Sequence, residues 1–142
     1  MNIYKFILYK ILGWKIIGDF KEKELKKVII IVAPHTSWSD FYIAILCRKA
    51  LGIMVNFVGK KELFVWPFGY YFRWVGGAPL DRSTKQNKVE AIASIFNSKE
   101  EFRLGMSPEG TRKKVEVWRT GFYYISLKSP MIFQPRILYK IN

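Results

Sequence analysis

The chain has 142 residues, enough for one domain with a modest core, and half of them are hydrophobic, which excludes an intrinsically disordered chain. A net charge of +13 with 17% aromatic residues asks for a partner that is both anionic and greasy. A membrane surface with acidic lipids fits best, nucleic acid is the rival, and lysines that merely keep an apolar protein soluble are the plain alternative.

The sequence holds one cysteine, Cys47, inside an apolar segment. No intramolecular disulfide or zinc-type spacing is then available, and the residue reads as a small core side chain in a reducing setting. Residues 1–18 are apolar but carry Lys5, Lys10 and Lys15. That interruption rules out a membrane span and a signal-peptide layout. A helix is expected there, resting at a lipid interface through Tyr4, Phe6, Tyr9 and Trp14 or packed on the domain's own core.

A charged stretch, residues 19–27, leads to Val28-Ile29-Ile30-Ile31-Val32-Ala33. This short β-branched run predicts a strand buried on both faces, which Pro34 ends. His35 then stands at the carboxyl end of a central strand, where open α/β sheets bind ligands. Ser37 or Ser39 is expected to cap a buried helix over residues 38–50. A second strand is predicted at residues 55–59. An aromatic segment follows at 64–74, broken by Pro67 and Gly69, and then a Gly76-Gly77 turn. Ala78-Pro79-Leu80 reads as extended, residues 85–98 as an amphipathic helix, and Phe102-Arg103-Leu104-Gly105-Met106 as a third strand. A helix at 122–128 and strand fragments at 132–133 and 137–138 complete the chain. There is no repeat, low-complexity tract or linker. Strands alternating with helices predict an α/β fold: one domain, a mostly parallel central sheet flanked by helices, and an amphipathic or membrane-surface helix at the N-terminus.

Two stretches carry chemistry. His35 is the chain's one histidine, and Asp40 follows five residues later. A strand-to-helix turn can bring the two into contact, so that the aspartate holds one imidazole nitrogen and leaves the other as a base. Such a base suits removal of a proton from an alcohol attacking a carbonyl. No G-x-S-x-G elbow supplies a serine, so the alcohol would be the substrate's own. The second stretch, Glu109-Gly110-Thr111-Arg112, follows the third strand. Its glycine permits close approach, its threonine can donate to an anionic oxygen, and its arginine can grip phosphate. Taken singly, the first pair also fits a surface histidine with a helix-capping aspartate, and the second a solvated loop.

In order, His35-x4-Asp40, Gly76-Gly77-Ala78-Pro79-Leu80-Asp81-Arg82 and Pro108-Glu109-Gly110-Thr111-Arg112 form a block set that resembles the glycerolipid acyltransferases, the family typified by bacterial 1-acyl-glycerol-3-phosphate acyltransferase. Lys61, Trp66-Pro67 and Trp118-Arg119-Thr120-Gly121 are similar to its spacer sequences. The resemblance implies transfer of a fatty acyl group from an acyl thioester donor, acyl-CoA or acyl carrier protein, to a hydroxyl of a lysophosphatidic-acid-like acceptor in phospholipid biosynthesis. It implies His35 as general base and Asp40 as its orienting partner. Gly76, Gly77, Arg82, Glu109, Gly110, Thr111 and Arg112 would hold the acceptor. It implies no metal and no cofactor beyond the co-substrate. An anionic membrane surface is the expected partner and nucleic acid is not, which puts the protein at the periphery of the membrane's cytoplasmic face. The expected layout is an interfacial helix and charged connector at 1–27 and the acyltransferase-like domain at 28–142. The family's fourth block is only approximated by Lys128-Ser129-Pro130-Met131-Ile132, so a domain cut short at its C-terminus is expected. A catalytically inactive, lipid- or anion-binding remnant of the same fold is the alternative.

Overall fold

The computed structural model describes residues 1–16, 25–33, 37–81, 87–129, 132–135 and 139–140, the last two stretches as backbone. Helix α1 (Ile3–Phe6) starts on Asn2, whose side chain accepts from the Lys5 N–H, and widens into a π-helix at Ile7–Ile11. The helix expected over residues 1–18 therefore stops early. Gly13 takes φ 67°, a left-handed turn that glycine adopts at little cost, and strand β1 (Trp14–Lys15) follows. Leu8 is fully buried against Cys47 and Ala50, whereas Ile3, Phe6 and Ile11 are exposed.

Strand β2 (Lys27–Ile31) is the centre of the fold. It pairs in parallel with β5 (Phe102–Met106) on one side and β6 (Ile132–Pro135) on the other. Val28, Ile29, Ile30 and Ile31 are all buried, as the unbroken β-branched run predicts for a strand covered on both faces. Strand β3 (Phe57–Lys60) pairs in parallel with β4 (Gly77–Leu80). Asn56, just before β3, bridges in parallel to Leu104 on β5. The parallel order is thus β4-β3-β5-β2-β6, with that isolated bridge joining the β3–β4 sheet to the β5-β2-β6 sheet. Strand β7 (Tyr139–Lys140) pairs antiparallel with β1; residues 137–138, where a fragment was expected, lie outside the described residues.

Helix α4 (Lys88–Ser98) and helix α5 (Gly121–Lys128) cover one face. There Ile92, Phe96 and Ile125 meet Ile29, Ile31, Leu80, Phe102 and Leu104 in the main core. Helix α2 (Asp40–Leu51) packs with the N-terminal helix around Leu8, Cys47 and Ala50. The sequence expects α2 to be buried all round. Instead Tyr42 and the preceding Trp38 are exposed, and the buried set includes a charged residue, Arg48. A short 3-10 turn (Lys61–Phe64) and helix α3 (Phe68–Trp74) form the aromatic segment. Phe64 and Gly69 are buried there, while Trp66, Phe68, Tyr70 and Trp74 are exposed. Burial pushes the Cys47 thiol up to about 11, so it stays protonated and unreactive in its apolar setting. The chain is a single small α/β domain with short parallel sheets flanked by helices.

Candidate active site

The site is built where β2 and β5 end side by side. The Val32 N–H donates to the Met106 carbonyl at 3.0 Å, carrying the parallel ladder one step past Ile31. The chain that leaves β2 therefore runs next to the chain that leaves β5. Pro34, His35 and Thr36 lie outside the described residues. From Ser37 the backbone turns into α2, with the Asp40 N–H donating to the Ser37 carbonyl at 3.2 Å.

Of the two serines expected to cap α2, Ser37 accepts the Ser39 N–H on its hydroxyl at 3.3 Å, in the turn where the helix begins. Ser39 makes no side-chain cap bond, and its hydroxyl donates to the Ser37 hydroxyl at 3.0 Å. The Asp40 carboxylate reaches back instead and accepts the Ser37 N–H at 2.9 Å. A carboxylate competes well for an N–H in the tight turn before a helix, and its charge suits the helix N-terminus. The half-buried Asp40 is thereby held back over Ser37, two residues after His35 in the sequence.

On the β5 side, the Ser107 hydroxyl donates to Glu109 Oε2 at 3.4 Å, and Glu109 is buried. Thr111 Oγ1 accepts the Lys113 N–H at 3.3 Å, and Arg112 is exposed. Gly110 sits at φ 65°. The sequence offers close backbone approach or positive φ as the reason for this glycine, and the structure has the positive φ, with an arginine of the chain packed against it. A Cβ at Gly110 would lie 2.9 Å from Arg119 Cδ and 3.0 Å from its Nε. The Arg119 N–H also donates to the Pro108 carbonyl at 2.8 Å. Arg119 is therefore seated on the turn, a cation that the block pattern alone does not single out. The sequence signal for it is the glycine itself. Gly110→Ala is expected to cost about 1–3 kcal/mol through the left-handed φ and to displace Arg119. A thermal melt checks this, and an unchanged melting temperature would contradict the packing.

The second block, Gly76 to Arg82, is divided between the two ends of β4. Gly76 and Gly77 lie at the amino end of β4, and Asp81 follows its carboxyl end. Gly76, at φ 90°, faces Arg48 and the Val55 carbonyl, and a Cβ at Gly77 would lie 2.7 Å from Phe57 and 2.8 Å from the Phe72 carbonyl. Both glycines are accounted for by close packing inside the protein, away from the ends of β2 and β5. Asp81 pairs with Lys61 at 3.2 Å. Beside that pair an open cleft of about 320 Å³ is lined by Lys61, Phe64, Val65, Arg73, Pro79 and Asp81. Arg82, next in the chain, lies outside the described residues.

Among the described residues no group of histidine, cysteine or carboxylate side chains has the geometry to hold a metal, and no helix is long and apolar enough to cross a membrane.

The model of the Acyltransferase family matches residues 16–138 of the chain. A 1-acyl-sn-glycerol-3-phosphate acyltransferase of Streptococcus pneumoniae is 30% identical over 118 residues, which are 78% of this chain and 44% of that protein. The chain thus spans less than half the length of this relative. No solved structure matches it.

Proposed function

The chain belongs to the acyltransferase family, and we propose that it moves a fatty acyl group from acyl-CoA or acyl carrier protein to a hydroxyl of a lysophosphatidic-acid-like acceptor. The observation that carries this reading is the Asp40 carboxylate held back over Ser37 in the chain that follows β2, whose end pairs at Val32 with the end of β5 that leads to residues 109–112. In the reaction His35 takes the proton of the acceptor hydroxyl as its oxygen attacks the thioester carbonyl. Asp40 holds the imidazole and stabilises its charged form. The carbon–sulfur bond then breaks, and the leaving thiolate recovers a proton to give the free thiol. Arg82, Thr111, Arg112 and Arg119 supply cations and donors for the acceptor phosphate, and the buried Glu109 orders that turn. The reaction as written needs no metal or redox cofactor.

We further propose that the protein works at the cytoplasmic face of a membrane without spanning it. Support comes from the exposed Val65, Trp66, Phe68, Tyr70 and Trp74, which neighbour Lys60, Lys61 and Arg73, in a chain of net charge +13. Aromatic side chains with cations at their rim favour the interface of an anionic bilayer.

The test mixes purified protein with acyl-CoA or acyl carrier protein thioester and lysophosphatidic acid in anionic vesicles. Free thiol should appear only when the acceptor is present. Folded, vesicle-bound protein that releases no thiol from either donor would overturn the enzyme reading and leave a binding protein.

A further inference from the structure

The two parts of the proposed site stand on different sheets. Asp40 and residues 109–112 follow β2 and β5, whereas Asp81, next to Arg82 in the sequence, follows β4, which pairs with β3. Among the described residues, both backbone hydrogen bonds joining these sheets belong to Asn56: its N–H donates to the Arg103 carbonyl at 2.6 Å, and its carbonyl accepts the Gly105 N–H at 2.8 Å. Its side chain doubles the joint. Oδ1 accepts the Arg103 N–H at 3.2 Å on β5, and Nδ2 donates to the Gly76 carbonyl at 3.1 Å at the foot of β4. All four polar groups of one asparagine are therefore used at the seam, three across it to β5 and the fourth, Nδ2, to the foot of β4. Aspartate, serine or any apolar residue would lose the donor to Gly76.

A buried arginine fixes the same foot from below. Arg48 Nη1 donates to the Val55 carbonyl at 3.1 Å and to the Val75 carbonyl. It thus grips the residues just before Asn56 and just before Gly76. Burial lowers the Arg48 pKa from its ordinary value, with Tyr71 acting in the opposite direction. The hydrogen bonds found for it run to carbonyls and to the Met54 sulfur, not to a carboxylate. An asparagine and a charged arginine at such positions cost desolvation that apolar side chains would not. Strand β4 also packs Ala78 and Leu80 into the core with Phe102 and Leu104, but apolar packing is non-directional and sets its height less sharply than the hydrogen bonds of Asn56.

We propose that Asn56 is a positioning residue: it pins the β3–β4 sheet to β5 and so sets where the carboxyl end of β4, at Leu80 and Asp81, stands relative to the turn of residues 109–112. The proposal rests on the acyl-transfer reading for its consequence, since an acceptor phosphate held from both sheets would feel the joint slip. An error near one ångström in such a site is enough to lower binding or rate markedly.

The experiment compares wild type with Asn56→Ala, Asn56→Asp and Ile125→Val. The aspartate keeps the acceptor toward Arg103 and loses the donor to Gly76, and the valine is a mild core change on α5, which makes none of the hydrogen bonds of Asn56. Lysophosphatidic acid is the varied substrate, in anionic vesicles at saturating acyl-CoA. Both Asn56 variants should raise the acceptor KM about ten-fold with kcat within about two-fold of wild type, while Ile125→Val leaves both unchanged. An unchanged acceptor KM, or an equal rise in Ile125→Val, would overturn the proposal. Amide exchange needs no turnover and keeps the two readings apart. Residues 77–80 should lose protection about ten-fold in Asn56→Ala while residues 28–31 keep theirs. Equal protection overturns the joint in any chain, active or not; lost protection in a chain that transfers nothing overturns the acyltransferase reading and leaves the joint standing.

Discussion

His35→Ala should lower acyl transfer by about 100- to 10,000-fold, the usual contribution of a positioned general base, with the loss in kcat. The chain has no second histidine to take over. The alanine should leave the melting temperature and vesicle binding as they are, because position 35 follows the core residues of β2, which end at Ile31, and the exposed aromatics are on the segment around α3. Asp40→Asn is the companion change. An asparagine oxygen can still accept the Ser37 N–H now taken by the carboxylate at 2.9 Å. The turn should therefore survive while the imidazole loses its anionic partner. A large fall in kcat without unfolding is expected, and it should not add to the effect of His35→Ala in the double variant, since the two act as one unit. Additive losses, or full activity in His35→Ala, would remove the base from position 35.

Much of this site can be read from the chain, and the parts that cannot share a cause. Strand β5 falls on the residues predicted for it, 102–106, because alternation and a flanking glycine turn are local signals. The β-branched run of β2 is local in the same sense. Arg48 is different. On sequence it is a charge near the end of a helix, where a cation suits the helix C-terminus and belongs outside. Its burial is decided by the Val55 and Val75 carbonyls, which come from other elements. Gly110 was legible as a place of close approach, but not that Arg119 would approach it. Gly76 and Gly77 belong to the same sequence block as Arg82, yet a strand of four residues carries the chain away between them. Sequence order shows which residues travel together and does not show which end of a strand each one reaches.

Phe96→Ala should be the most damaging change outside the site. Phe96 is fully buried and meets Phe102 edge-on at 4.8 Å, at the centre of a core that also holds Ile29, Ile31, Ile92, Leu104 and Ile125. Emptying such a position costs about 3–5 kcal/mol, from lost apolar burial and the cavity left behind. A domain of this size has about 5–15 kcal/mol in all, so the variant should melt roughly 10–20 °C lower. The same residues lie beneath β2 and β5, whose ends carry the proposed chemistry. Activity in Phe96→Ala should therefore fall with the folded fraction, and a sample cooled below its transition should recover near-normal turnover per folded molecule. His35→Ala should behave in the opposite way, folded at every temperature and inactive at each. A melting shift under about 5 °C in Phe96→Ala would mean that the ring is not the keystone its burial makes it, and that the two strand ends are held together by other contacts.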